Sequence, residues 1–158
     1  YSKFKFDMVR TGIGLYGYGN DKRYSKYLKP VLSLKSVISQ IHNIKKGDSV
    51  GYNRGFIAKI DCKIAIIPIG HADGISRHLG NGKVGFLIKS KIAKTVGNIC
   101  MDMLMLDITN INCNEGDEVT IIDDKIQTAE DLGEKINTIS YEILTSLSSR
   151  IKRTIINI

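Results

Sequence analysis

The chain has 158 residues, of which 42% are hydrophobic and 25% charged, a composition that is typical of a folded domain and excludes disordered and collagen-like chains. Its longest apolar run is too short to cross a bilayer, which predicts a soluble, cytoplasmic protein without a membrane segment. The net charge of +7 is uneven, because residues 1–100 carry 18 basic and 5 acidic side chains and residues 101–158 carry 5 and 11. No aromatic pattern of an RNA-binding domain accompanies this charge, so we expect no nucleic-acid partner.

The first twenty residues differ in character from the rest. Phe4, Phe6 and Val9 predict a buried strand, and the stretch 12–17 is dense in glycine. Glycines let a backbone approach a ligand closely, and successive N–H groups can hold a phosphate. A plain glycine-rich turn explains the same pattern, so from these residues alone both interpretations stay open.

The remainder is predicted as short strands joined by turns that contain glycine. Longer β segments are expected over residues 31–44 and 55–69, shorter strands at 83–88, 91–96, 104–108 and 118–122, and a last strand at 150–156. Many short strands with few helices predict a mostly β fold, either a β-barrel or a strongly curved sheet.

Two short helices are predicted late in the chain. Thr128 and Asp131 form the pattern of a capping box, in which each residue's side chain bonds the other's backbone N–H, so a helix should start there and end near Ile136. A second helix is expected over Ser140–Ser146.

Cysteines and histidines give no metal pattern. Cys62, Cys100 and Cys113 are odd in number and match no zinc-site spacing, and the three histidines add no metal-binding motif. We therefore expect free thiols, as in a reducing cytoplasm, and no metal site.

Six separated motifs together resemble one known family. They are FDMVRTGIGLYG (6–17), VGYNR (50–54), IPIGHADG (67–74), GNICMD (97–102), ISYE (139–142) and SRIKR (149–153). In this order and spacing they resemble the C-terminal part of bacterial alanine racemases, and the resemblance covers nearly the whole chain.

This resemblance implies a two-domain enzyme, with an N-terminal (β/α)₈ barrel that holds pyridoxal phosphate on a lysine, followed by a mostly β domain. Residues 1–20 would be the remnant of the last barrel strand and the phosphate loop. Residues 21–158 would be the C-terminal β domain, barrel-like with one or two short helices. The chain starts at Tyr1 and contains no Lys-Ala-Asn-Ala-Tyr-Gly-like stretch for the cofactor lysine, so we expect a fragment that is inactive alone.

Tyr52 is the catalytic residue that the resemblance implies. Racemisation removes an α-proton and returns one to the opposite face, so two acid/base groups must flank the substrate. In the family one is the barrel lysine, and the other is a tyrosine that reaches across a homodimer interface. A free tyrosine has a pKa of about 10, so it works near neutrality only where its surroundings favour the phenolate.

The cofactor residues are also implied by the motifs. Arg10 matches the arginine that hydrogen-bonds the pyridine nitrogen, and because arginine cannot accept a proton, that nitrogen would stay unprotonated. Gly12 and Ile13 match backbone N–H donors to the cofactor phosphate, and Tyr141 matches a hydroxyl that binds the same phosphate.

Substrate binding is implied at two further positions, and the entry corridor at three. Met101 matches a residue whose backbone contacts the substrate carboxylate, and Asp102 follows it in the motif. His71, Arg77 and Asn98 match positions along the corridor through which the substrate reaches the site.

Four positions depart from the usual family pattern. Thr11 replaces proline, His71 replaces tyrosine, Asn98 replaces arginine and Met103 replaces a common glutamine. Two of these changes lie at the mouth of the corridor and bear on the identity of the substrate.

The favoured hypothesis is an isomerase that interconverts L- and D-alanine for cell-wall precursors. The alternatives are a racemase of serine or another small amino acid, and a non-catalytic β-barrel module that binds RNA or protein.

Overall fold

The structure, a computed structural model, describes residues 6–19 and 21–156. Its strands are β1 Leu34–Val37, β2 Gln40–Ile44, β3 Ser49–Val50, β4 Phe56–Ile57, β5 Cys62–Ile67, β6 Gly85–Ile88, β7 Lys91–Lys94, β8 Leu104–Asp107 and β9 Glu118–Ile122. Its helices are α1 Lys22–Ser25, α2 Ala129–Lys135 and α3 Ser140–Ser146. Short 3₁₀ turns lie at Gly12–Tyr16, Tyr52–Arg54, His71–Asp73 and Arg77–Leu79. The predicted mostly β fold with short helices is confirmed.

The strands of the described residues pair into three antiparallel sheets that remain open. One sheet has the order β1-β9-β6-β7, a second has the order β2-β5-β8, and β3 and β4 form a separate hairpin. A bridge between Thr95 and Leu106 joins the first two sheets. The barrel-like closure expected from the sequence is not seen among these strands.

The chain changes sheets between β1 and β2. Ile38 donates its backbone N–H to the carbonyl of Asp117, next to β9, whereas Ser39 donates to the carbonyl of Ile66 in β5. Two consecutive residues thus pair with different sheets. This is why the β segment predicted over residues 31–44 is two strands.

Strand β5 is buried on both faces and separates two hydrophobic cores. Ala65 and Ile67 face the main core, which also contains Phe86 of β6. Ile64, from the opposite face, packs in a small core with Met105. Alternation of side chains along a strand explains the division, and burial on both faces explains the apolar run in the sequence.

The small core holds the β3–β4 hairpin against the central sheet. Val50 and Phe56, one from each strand of the hairpin, pack against buried Ala58, Val96 and Met105. The hairpin has two residues in each strand, so its position depends on this packing more than on its own hydrogen bonds.

Two sequence expectations are corrected and a third stays a prediction. Phe6 and Val9 are 79% and 78% exposed and lie outside the strands of the described residues. Their burial is expected in the barrel that the family resemblance implies, so it stays a prediction, and Phe4 lies outside the described residues. The long strand expected over 55–69 is broken by a bend between β4 and β5. Residues 150–156 form no strand, and Ile155 is 94% exposed.

Helix α2 begins as predicted. The Thr128 hydroxyl accepts a hydrogen bond from the Asp131 N–H, and the Asp131 carboxylate accepts one from the Thr128 N–H at 2.8 Å. The N–H of Ala129 donates to the hydroxyl of buried Tyr18 at 3.2 Å. This bond fastens the segment after the glycine-rich turn to α2. Burial raises the pKa of Tyr18, which keeps its hydroxyl neutral.

In the described part of the chain, no helix has the length and apolar character needed to span a membrane. The three cysteines are free thiols. Within residues 6–19 and 21–156, the histidine, cysteine, aspartate and glutamate side chains form no group of three or more that could hold a metal ion.

Candidate active-site surface

Loops that carry predicted site residues meet at the segment 97–102. The Asn98 side-chain amide donates to the backbone carbonyl of Tyr52 at 3.2 Å. The His71 N–H donates to the carbonyl of Cys100 at 2.9 Å. Tyr52, His71 and Asn98 therefore belong to one connected group of loops, although they are far apart in the sequence.

Tyr52 lies in a turn with unusual backbone geometry. Gly51 before it has φ of +79°, and Asn53 and Arg54 after it have φ of +58° and +51°. The Tyr52 side chain is 71% exposed, and its hydroxyl forms no hydrogen bond with another described residue. The turn thus fixes the backbone of Tyr52 while its hydroxyl points to solvent, as a group that acts on another molecule requires.

Two glycines allow this turn to pack closely. A Cβ at Gly55 would lie 2.9 Å from the Asn98 amide nitrogen, and one at Gly51 would lie 3.1 Å from the Met105 methyl. The motif VGYNR and the glycine after it are therefore explained by contact with the segment 97–102 and the small core.

The turn His71–Asp73 packs closely against the backbone of Cys100 and Met101. A Cβ at Gly70 would lie 2.4 Å from both carbonyl oxygens, so only glycine permits this approach. The Ala72 N–H donates to the Met101 carbonyl at 2.9 Å. Met101 itself is 59% exposed, so this predicted substrate residue also faces outward.

Arg150 ties two of these loops to the C-terminal segment. Its Nε donates to Asp73 at 2.6 Å, and its Nη2 donates to Asp102 at 2.5 Å. Asp73 is buried and also accepts a hydrogen bond from the Gly70 N–H at 2.8 Å. The Arg150 guanidinium holds the pKa of Asp73 below its usual value, and the two carboxylates raise the pKa of Arg150.

Arg77 lies in the turn that precedes Asn81, and the backbone N–H of Asn81 donates to the carbonyl of Gly97. Arg77 begins the turn Arg77–Leu79, and the Gly80 N–H that ends this turn donates to its carbonyl. A cleft of about 170 Å³ lies between His71 and helix α3, lined there by Ile143 and Ser146. Small-molecule sites usually measure about 300–1,000 Å³, so this cleft is too small to hold a cofactor.

The predicted cofactor residues lie on two elements, the turn that follows Arg10 and the first turn of α3. Arg10 is exposed, and Gly12 and Ile13 start the 3₁₀ turn that follows it. Gly12 has φ of +60°, with no atom within 4 Å of the place where a Cβ would lie. Tyr141 is half-buried in the first turn of α3. No hydrogen bond between described residues joins the turn 12–16 to the segment 97–102.

Sequence reasoning missed Asp73, Arg150 and Asn81 as site residues. Asp73 and Asn81 each stand beside a glycine, a pattern that predicts turns, and Arg150 begins the last predicted strand. Asp73 is the only carboxylate in its motif, IPIGHADG, which is a weak signal, whereas Arg150 shares its motif, SRIKR, with Lys152 and Arg153 and is not distinguished from them. Only the fold, however, shows that these two charges meet.

Residues 31–155 match the family model of the alanine racemase C-terminal domain. The chain belongs to the alanine racemase family. An alanine racemase from Helicobacter pylori is 37% identical over 157 residues, which cover 95% of this chain and 41% of that protein.

Solved alanine racemases have the same fold. The enzyme from Streptomyces lavendulae superposes with a TM-score of 0.84 at 31% identity, over 92% of this chain and 40% of that one. The enzyme from Bartonella henselae, with covalently bound pyridoxal phosphate, gives 0.83 at 34% identity, over 90% and 40%. The chain thus spans about two-fifths of the length of these alanine racemases and corresponds to their C-terminal domain.

Proposed function

We propose that the protein carrying this chain is a cytoplasmic alanine racemase that uses pyridoxal phosphate to interconvert L- and D-alanine. The reaction needs an acid/base group on each face of the substrate Cα. This chain supplies one of them, the hydroxyl of Tyr52. The second is the cofactor-binding lysine that the family resemblance places in a barrel domain outside this chain.

The observation that carries the proposal is the presentation of Tyr52. Its backbone is fixed by a turn packed on the small core, while its side chain is 71% exposed and its hydroxyl is not bonded to another described residue. An exposed tyrosine on a constrained turn is suited to a site completed by a second surface. A homodimer, in which Tyr52 reaches the site of the partner subunit, would provide that surface.

The four predicted cofactor residues have the groups that pyridoxal phosphate requires. The first N–H groups of the turn 12–16 have no acceptor within their own turn, and Gly12 leaves open space beside them, so they can bind a phosphate. Tyr141 would add its hydroxyl to the same phosphate. Arg10 would donate to the pyridine nitrogen. When bound, the cofactor withdraws electrons from Cα and makes the α-proton removable.

The remaining site residues would orient the amino acid. The backbone at Met101 would bind the substrate carboxylate, with Asp102 held beside it by Arg150. His71 and Arg77 would border the corridor by which the substrate arrives. This corridor is where the chain departs from the family, so serine is the substrate to compare with alanine.

The test is Tyr52→Phe in the full-length protein. The ring remains, so folding should be retained, while the hydroxyl that serves one face is lost. Racemisation should fall by about 10²- to 10⁴-fold, the usual contribution of a positioned acid/base. In deuterated water, the label should continue to enter the α-position from one face only. Wild-type rates in both directions would show that Tyr52 has no catalytic role.

A further inference from the structure

We propose that Asn98 is a positioning residue that holds the Tyr52 turn, rather than a residue that guides substrate along the corridor; this rests on the proposed function. Both ends of its side-chain amide are engaged within the chain. Nδ2 donates to the Tyr52 carbonyl at 3.2 Å, and Oδ1 accepts from Nδ2 of Asn81 at 3.0 Å. An amide held in this way is oriented by the chain itself, so it cannot turn toward a passing substrate without breaking both bonds.

The orientation of the Asn98 amide follows from its partners. The Tyr52 carbonyl can only accept, so the nitrogen of the Asn98 amide must face it. The oxygen of that amide then faces Asn81, which must present its own nitrogen. Asn81 is itself anchored, because its backbone N–H donates to the Gly97 carbonyl at 2.8 Å. The result is a continuous chain of hydrogen bonds from the turn at Gly97 to the backbone of Tyr52.

The Tyr52 turn needs such support. Asn53 and Arg54 both have positive φ, a conformation that residues other than glycine adopt at a cost in free energy. Such a conformation persists only where surrounding contacts impose it. The Asn98 amide is the side chain that binds the carbonyl immediately before these two residues.

Close packing at Gly97 confirms that the two loops form one unit. A Cβ at Gly97 would lie 3.0 Å from the carbonyl oxygen of Val50, the last residue of β3. The loop that carries Asn98 is therefore in contact with the hairpin both before and after Tyr52. Loss of the Asn98 bond would leave the hairpin attached, with the Tyr52 carbonyl bonded to the Gly55 N–H of its own turn at 3.1 Å but no longer tied to the loop 97–102, so the turn could shift relative to that loop.

This arrangement predicts an effect on chemistry and not on substrate affinity. A displacement of about 1 Å can lower the rate of a positioned group by about 10²-fold. In the full-length protein, Asn98→Ala should lower kcat about 10- to 100-fold and leave the KM for alanine near the wild-type value. Deuterium incorporation should slow from the face that Tyr52→Phe affects and continue from the other face.

Two further variants make the test specific. Asn98→Asp keeps the shape of the side chain but removes the donor to the Tyr52 carbonyl, so it should lose kcat as Asn98→Ala does. Asn81→Ala leaves the bond to Tyr52 but removes its support, and should give a smaller loss of kcat. Asn112→Ala, an exposed asparagine in another loop, is the matched control and should change neither parameter.

Each outcome decides the proposal. If Asn98→Ala raises KM with kcat unchanged, Asn98 is a corridor residue and the inference is wrong. If Asn98→Ala does not fold, Asn98→Asp decides it, because an unchanged kcat there would show that the donor to the Tyr52 carbonyl is not needed. A wild-type protein that racemises no small amino acid would overturn the proposed function and this role with it. Racemisation by the wild type, with both face-specific rates retained in Asn98→Ala, would overturn the role of Asn98 alone.

Discussion

Asp73 serves two loops with one carboxylate. One oxygen accepts the Gly70 N–H and closes the turn that begins at His71, and the other accepts the guanidinium of Arg150. The Asp73 side chain is 10% exposed and that of Arg150 is 49% exposed, so the pair lies at the boundary between the interior and solvent. Here the ion pair fixes the position of a loop, whereas a fully exposed pair would contribute little.

The lowered pKa of Asp73 predicts a pH dependence of stability. A carboxyl group whose pKa is lower in the folded state stabilises the fold fully above its unfolded pKa, close to 3.8, and loses this contribution as pH falls through the folded value. Asp73→Asn keeps an acceptor for Gly70 but loses the ion pair. The variant should therefore be less stable than wild type at about pH 6, with the difference shrinking below about pH 4.

Amide hydrogen exchange in strand β9 measures this difference, because it reports the free energy of unfolding of the domain. Asp124→Asn is the matched control, because Asp124 is exposed. The free energy of unfolding of this variant should be within about 0.5 kcal/mol of wild type at both pH values. A difference for Asp73→Asn that stays constant from about pH 6 to about pH 2.5 would contradict the assignment.

The start of helix α2 shows how two elements are joined by one side chain. The capping box of Thr128 and Asp131 satisfies part of the helix start from within, and the Tyr18 hydroxyl accepts the N–H of Ala129 from outside. Because Tyr18 follows directly on the glycine-rich turn, this bond also holds the proposed phosphate loop in place.

Replacing that hydroxyl should therefore loosen both elements. Tyr18→Phe keeps the buried ring but leaves the Ala129 N–H without an acceptor, which should cost about 1–3 kcal/mol of stability. Amides of residues 13–18 and of the first turn of α2 should exchange faster together. Tyr27→Phe, at a side chain that is 73% exposed, should change neither. Unaltered exchange at the start of α2 in Tyr18→Phe would exclude the connection.

At the scale of elements, the sequence predicted what depends on local pattern. The capping box located the first residue of α2, and alternation located β9 to the residue. Prediction from the sequence was wrong where the pairing of strands determines whether a segment is a strand. The tail 150–156 is predicted as a last strand, but Arg150 is bound to Asp73 and Asp102, and no edge in the described chain pairs with the residues after it.

At the scale of the whole molecule, the candidate site residues were predicted from the family motifs and not from composition, periodicity or turn patterns. Nothing in the surroundings of Tyr52 in sequence distinguishes it from an ordinary turn residue. Its neighbour Asn98 is 46 positions away, and Arg150 is 77 positions from Asp73. Contacts of this range are fixed by the order of strands in the sheets, which periodicity does not encode. The hydrogen bonds of Asn98 were for that reason unpredictable from the sequence.

The division of the proposed site between this chain and a barrel predicts that the chain alone is inactive. The 158-residue chain should not racemise alanine and should not bind pyridoxal phosphate covalently, because the family resemblance places the cofactor lysine outside it. A coupled assay for D-alanine measures the first expectation. Mass spectrometry after borohydride treatment measures the second, and a pyridoxyl group fixed on one specific lysine of this chain would refute it.

The two cores on either face of β5 differ in size, so the parts of the molecule that they hold should open at different free energies. The Tyr52 hairpin is held by the small core, whose few buried side chains include Ile64 and Met105, while the sheets are held by the much larger main core. Local opening of the hairpin therefore requires less free energy than unfolding of the domain. On warming, the turn that presents Tyr52 would detach first. The upper temperature of catalysis would then lie below the melting temperature of the fold. The difference between the two temperatures would depend on the packing of the five buried side chains in the small core.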